Sequence, residues 1–134
     1  MPMETLVSAF LTAFENLDMP AFMACFAQDA TMFFPTPEPP QRFHGKAAIE
    51  RKFGEVFARI RAEAHAGPPF HRLRAEDLLV QRLSPEAGLV SFHLRSNERI
   101  ARRTLVLSHS SAGWLIHHLH ASNVSYPAPA PQGT

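Results

Sequence analysis

The chain has 134 residues, 46% of them apolar, and its 13 Lys plus Arg nearly balance 12 Asp plus Glu for a net charge of +1. That is enough chain for one domain with its own core, and the composition excludes wholesale disorder. The charge balance argues against a nucleic-acid binder, which needs a basic excess; the basic pairs Arg51/Lys52, Arg59/Arg61, Arg72/Arg74 and Arg102/Arg103 are scattered and read as solvated faces.

The N-terminal Met1-Pro-Met-Glu4 has no basic segment leading into an apolar run, so no signal peptide is expected. No stretch approaches the ~20 apolar residues of a membrane span, and the cytoplasm is the expected compartment. From Thr5 to Leu17 the residues Leu6, Val7, Phe10, Leu11, Phe14 and Leu17 fall at helical spacing and predict a first helix. Asp18 followed by Pro20 is a helix-start signal, and a second helix is expected over about 19–27 with Phe22, Met23 and Phe26 apolar. Cys25 lies on that apolar face. A lone cysteine forms no internal disulfide, and here it reads as a small buried hydrophobe rather than a nucleophile.

Ala30 to Phe34 predicts a short strand, followed by four prolines in the six residues 35–40, a stiff loop. Arg42-Phe-His-Gly45 closes the loop, and a third helix is expected over about 46–64, with Ile49, Phe53, Val56, Phe57 and Ile60 as its apolar stripe. Gly67-Pro-Pro69 stops it. Four strands follow, at about 70–82, 88–96, 101–110 and 114–124, separated by Ser84–Gly88, Ser96–Arg99 and Ser110–Gly113. One domain over 1–126 is expected, with an extended Pro/Ala tail at 127–134. The order ααβαββββ predicts an α+β fold with the helices on one face of a curved, mainly antiparallel sheet.

Three stretches carry a resemblance: Phe26-Ala-Gln-Asp-Ala-Thr31, Phe43-His-Gly-Lys-Ala-Ala-Ile49 and Gly113-Trp-Leu-Ile-His-His-Leu-His-Ala-Ser122. In this order they resemble the NTF2-like superfamily, in particular its SnoaL-like branches and the calmodulin-kinase association domain. The resemblance spans residues 5–124 and implies the NTF2-like or cystatin-like cone, with a small-molecule pocket between helices and sheet. It does not imply one function, because the fold hosts isomerases, cyclases, dehydratases, epoxide hydrolases and non-catalytic assembly domains. Laid on ketosteroid isomerase without a gap over residues 10–35, the chain has Phe10 where that enzyme has its tyrosine donor and Phe34 where it has its aspartate base. Phenylalanine neither takes nor gives that proton, so ketosteroid-isomerase chemistry is not expected. The same rings make the pocket apolar.

His117, His118 and His120 sit together near the C-terminus. His118 and His120 share a strand face, yet a zinc site needs three or four ligands and the last strands do not clearly supply the rest, so no metal and no cofactor is expected. If the last hairpin loop is 111–113, Ser110 pairs with Trp114. Val106, Thr104, Trp114, Ile116, His118, His120 and Ser122 then share one face, and Leu107, Leu105, Arg103, Leu115, His117, Leu119 and Ala121 the other. Both faces are substantially apolar, and a strand apolar on both sides is usually buried on both. With helices on the concave face, a homodimer through the convex face is expected.

The Leu-rich face, with Arg103 and His117, is the preferred pocket face; the alternative places His120 and Ser122 there. The pocket candidates are therefore Phe10, Phe14, Phe34, Phe57, Arg103, His117 and His120, facing a small hydrophobic or anionic molecule. Trp114 reads as structural, and the Phe33-Phe34-Pro35 end of the first strand with its proline loop as either pocket mouth or rigid connector. The expected function is ligand binding or assembly. The alternative is a cyclase, isomerase or dehydratase in which a histidine moves the proton of a small hydrophobic carbonyl compound.

Overall fold

In a computed structural model that describes residues 2–35, 41–95 and 99–125, the elements run α1 (Met3–Glu15), α2 (Met19–Met23), β1 (Phe26–Phe33), β2 (Arg42–His44), α3 (Lys46–Glu63), β3 (Ala75–Ser84), β4 (Ala87–Arg95), β5 (Arg99–Ser110) and β6 (Gly113–Ser125). The α+β class and the three helices stand as read from the sequence. Most of the proline loop, the turn at 96–98 and the tail at 127–134 lie outside the described residues.

Helix α1 buries Leu6, Val7, Phe10 and Ala13 as one stripe. It ends with Leu17 in the left-handed region, at φ 51°. The Asp18 N–H then donates to Ala13 O at 2.9 Å and the Leu17 N–H to Phe14 O at 3.2 Å, the paired bonds of a Schellman stop. A leucine pays steric cost at that φ, offset by burial of its side chain. Asp18 immediately caps α2, accepting from the Ala21 N–H at 3.2 Å, with Pro20 inside the first turn. The predicted second helix is too long at its end. It stops at Met23, and residues 27–29 belong to β1. Pairing with the C-terminal strand wins over local helical periodicity, because the Ile116 N–H donates to Cys25 O at 2.7 Å and Phe26 lies opposite Ile116.

The sheet has six strands in the order β2-β1-β6-β5-β4-β3. Neighbours are antiparallel except β1 and β6, which run parallel. Strand β2 is an addition to the predicted order: Arg42–His44, read as the end of a loop, pair with Phe33–Thr31. Gly45, at φ 94°, then turns the chain into α3. Residues 70–74 are not strand; they tie to the end of α1, with the Phe70 N–H on Glu15 O and the Leu73 N–H on the Glu15 carboxylate.

The last hairpin departs from its predicted register at one end. Ser110 pairs with Gly113, so the turn is two residues, and His109 faces Trp114. Between Leu107↔Ile116 and Val106↔His118 the register shifts, leaving His117 as the extra residue of a bulge. Beyond it the predicted pairs Leu105↔Leu119, Thr104↔His120 and Arg103↔Ala121 hold. The bulge rewrites the faces. Trp114, Ile116, Leu119 and Ala121 are all buried, whereas His117 and His120 are exposed. The apparent two-sided apolarity of this strand is thus one apolar face interrupted by a slip of one residue.

Buried side chains continue across the sheet in register, Val90–Leu105–Leu119–Met32 from β4 to β1. Above them the helices deliver phenylalanines. Phe22, fully buried, lies 4.6–5.5 Å centroid to centroid from Phe10, Phe14, Phe26, Phe53 and Phe57. Ring pairs at these distances add to ordinary burial.

Candidate functional site

The concave face joins two unlike regions. Of the predicted pocket residues, Phe10, Phe14, Phe34 and Phe57 are brought together, through Phe22 and Phe53. Phe14 lies 5.8 Å from Phe53 and 5.6 Å from Phe57, and Phe34 stands edge-on to Phe53 at 5.7 Å. Phe10 and Phe57 are buried, and Phe14 and Phe34 are half-buried. The rings pack on one another, so this part of the cone is core more than chamber. Phe22 and Phe53, which the sequence marks only as helix stripe, are what hold the cluster together.

The second region is polar. Arg103 shares its side of β5 with Leu105 and Leu107 and lies opposite Phe92 on β4 and Ala121 on β6. Its Nη1 donates to Arg102 O at 3.0 Å and to Ser122 O at 3.3 Å. Among the described residues no carboxylate meets it. Burial, and secondarily the charge of Arg99, pull its pKa down from 12.5 to about 10. It remains a cation at neutral pH, partly dehydrated and without a counter-charge among the described residues. Asn123 pairs with Ala101, which places it diagonally from Arg103 on the same face. Its Oδ1 is buried without a hydrogen-bond partner among the described residues. The sequence reading overlooked Asn123, though its parity with Leu119 and Ala121 put it on this face.

The histidines go elsewhere. His117 and His120 do not join the Phe cluster or Arg103: the bulge exposes the first, and the second lies beside Phe33, ring to ring at 5.6 Å. His118 Nδ1 lies 2.7 Å from Thr31 Oγ1, and its pKa is lowered by burial first, then by His120, Arg42 and His117. On the helix side, His71, half-buried, packs on Phe14 and its Nε2 bonds Phe14 O at 2.8 Å. Among the described residues no group of three His, Cys, Asp or Glu side chains is placed to hold a metal ion. Burial pushes the Cys25 thiol up to about 11 and its Sγ donates to Ala21 O, so it is no thiolate nucleophile at neutral pH. Trp114 is buried, with the Arg82 guanidinium 5.7 Å from its ring. A cleft of about 310 Å³ runs between β2 and α3, with Arg42, His44, Arg51, Lys52 and Glu55 among its walls. It shares no residue with the predicted pocket.

Comparison with known families finds a SnoaL-like domain matched over residues 3–127, nearly the whole chain. The chain belongs to the SnoaL-like domain family. Solved structures agree on the fold of this SnoaL-like domain. One is an NTF2-like protein of unknown function from Pseudomonas putida, 18% identical, covering 98% of this chain and 87% of that one at a TM-score of 0.73. Another is a cystatin-like fold protein from Burkholderia xenovorans, 18% identical over 92% of this chain and 90% of that one, TM-score 0.68. A third, from Thiobacillus denitrificans, bears the name of the calcium/calmodulin-dependent protein kinase type II association domain and is 22% identical over 91% of this chain and 94% of that one, TM-score 0.66. At such identities the likeness is one of fold. A comparison with curated protein sequences finds no match. No helix among the described residues is long and apolar enough to cross a membrane.

Proposed function

We propose that this SnoaL-like domain is a ligand-binding module without proton-transfer chemistry of its own, and that it takes a small compound with an apolar body and an anionic head at Arg103. The observation that carries this is the Arg103 guanidinium, bonded to backbone carbonyls and without a carboxylate partner among the described residues, beside Asn123 on a sheet face of mainly apolar side chains. A partly buried cation without a counter-ion is costly, and an anion from outside would offset that cost with charge-assisted bonds. The histidine-assisted enzyme reading has less support. His71 is bonded to a backbone carbonyl, the β6 histidines lie off the concave face, and Phe10 and Phe34 offer no acid or base. The test is calorimetric titration with phenylacetate and with its neutral counterpart 2-phenylethanol. Phenylacetate is expected to bind about tenfold or more tightly, and Arg103→Met to erase the difference. Equal binding of the two compounds, or a preference that survives Arg103→Met, would overturn the proposal.

The second part of the reading is assembly with a second copy through the convex face. Leu79 at 51% and Val106 at 36% exposure stand on that face, with Phe33 and Leu89 half-buried beside them. Six strands, the longest of 13 residues, present a face on the order of 700 Å², comparable with the ~800 Å² per partner of a standard interface. Light scattering at micromolar concentration and pH 7.5 should give twice the chain mass.

A further inference from the structure

We propose that the convex face is a pH-gated seam between two copies of this chain, closed while His118 is neutral and opened when it is protonated. This rests on the assembly reading above and adds its regulation. The register places two rows across the middle of the face. One runs Gln81–Leu89–Val106–His118–Thr31, the other Leu79–Ser91–Thr104–His120–Phe33. From β3 to β1 neither row holds a fixed charge, so with neutral imidazoles the middle of the face is apolar and neutral polar. That is the composition of an interface core, with charge kept to the rim. The fixed cations do lie outside these rows. Arg42 sits on the end strand β2, its guanidinium 5.1 Å from the Phe33 ring. Arg102 lies two residue pairs beyond Thr104↔His120, in the next row of this face, bonded to Ser122 Oγ.

The surroundings of His118 decide the sign. On β6 it has His117 and His120, on β1 Thr31, on β2 Arg42 and His44 (the latter paired with Thr31), and on β5 the neutral Val106 and Thr104. His93 on β4 faces Arg102. The acids are remote or occupied. Glu76, opposite His93, is held by Arg95 at 2.8 Å, and Asp29, two residues before Thr31, does not reverse the downward shift. Thr31 Oγ1 can donate to or accept from Nδ1, so that bond tolerates either state. A histidine whose pKa is depressed by burial and by cations favours the neutral form. A second copy would bury the ring further. Association is therefore full well above the lowered His118 pKa of the separated chain and weakens as pH falls through it, since the separated chains take up protons that the closed seam refuses.

The experiment is sedimentation or light scattering from pH 7.5 to 5.5, with circular dichroism recorded alongside. The dimer should dissociate as pH falls, its Kd rising by about tenfold or more, which corresponds to one proton over one pH unit, with the dichroism unchanged. The variant His118→Gln/His120→Gln should hold one oligomeric state throughout. Arg42→Gln, which removes a neighbouring cation and so makes His118 easier to protonate, should move the dissociation midpoint to higher pH. A chain monomeric at pH 7.5 would refute assembly itself. A dimer with constant Kd, one that unfolds before it dissociates, or a midpoint unmoved in both variants would refute the gate alone.

Discussion

At Arg103 the guanidinium's pKa falls to about 10 because the sheet face removes water from it without giving a carboxylate in return. The sign follows directly. Below pH 10 the folded chain carries the cost of a dehydrated charge. Stability would rise only as pH climbs from about 10 towards 12.5, where the unfolded chain holds a proton the folded one has lost. At pH 7 the substitution Arg103→Met should therefore stabilise the unliganded domain by about 1–2 kcal/mol, a rise in Tm of roughly 3–8 °C readable by differential scanning fluorimetry. A merely structural arginine would give a fall. Much of this site was legible in the sequence, because the alternation Arg103, Leu105, Leu107 fixes the face once one member is known to be buried. Asn123 shares the parity of Leu119 and Ala121, which gives its face, but nothing local marks a single amide there as a buried polar group.

Among the elements, the shortest are the least legible. Strand β2 is three residues, too few for alternation to appear, and only its pairing with β1 makes it a strand. The β6 bulge is hidden for a different reason. The slip falls at His117 beside His118, two identical residues, so no change of residue type marks where the alternation breaks. Helix α2, by contrast, was announced by Asp18 and Pro20, and its cap is testable. Asp18→Ala removes the acceptor for the Ala21 N–H from a helix of only five residues. It should cost about 1 kcal/mol, measured as a lower urea midpoint with unchanged m. The far end of α2 escaped the reading because the pairing of Phe26 with Ile116 bridges most of the chain, beyond any local window.

For the whole molecule, the aromatic core and the cone were readable because helix stripes and strand alternation agree on one inside. What was not readable was which side of β6 is which, and the expected dimer leaned on that point. With the bulge in place its support moves from two-sided apolarity to Leu79, Val106 and a histidine-lined outer face. Strand order carries a further consequence. Strands β3 to β6 are a meander whose neighbours in sequence are neighbours in space, and such local pairings form early. Strand β1 has β6 as its partner on one side, and β6 is made after the other five strands of the sheet. On the ribosome, then, α1, α2, β1, β2 and α3 emerge with their phenylalanines before the surface that covers them exists. The nascent N-terminal half must wait, exposed, until β6 clears the exit tunnel.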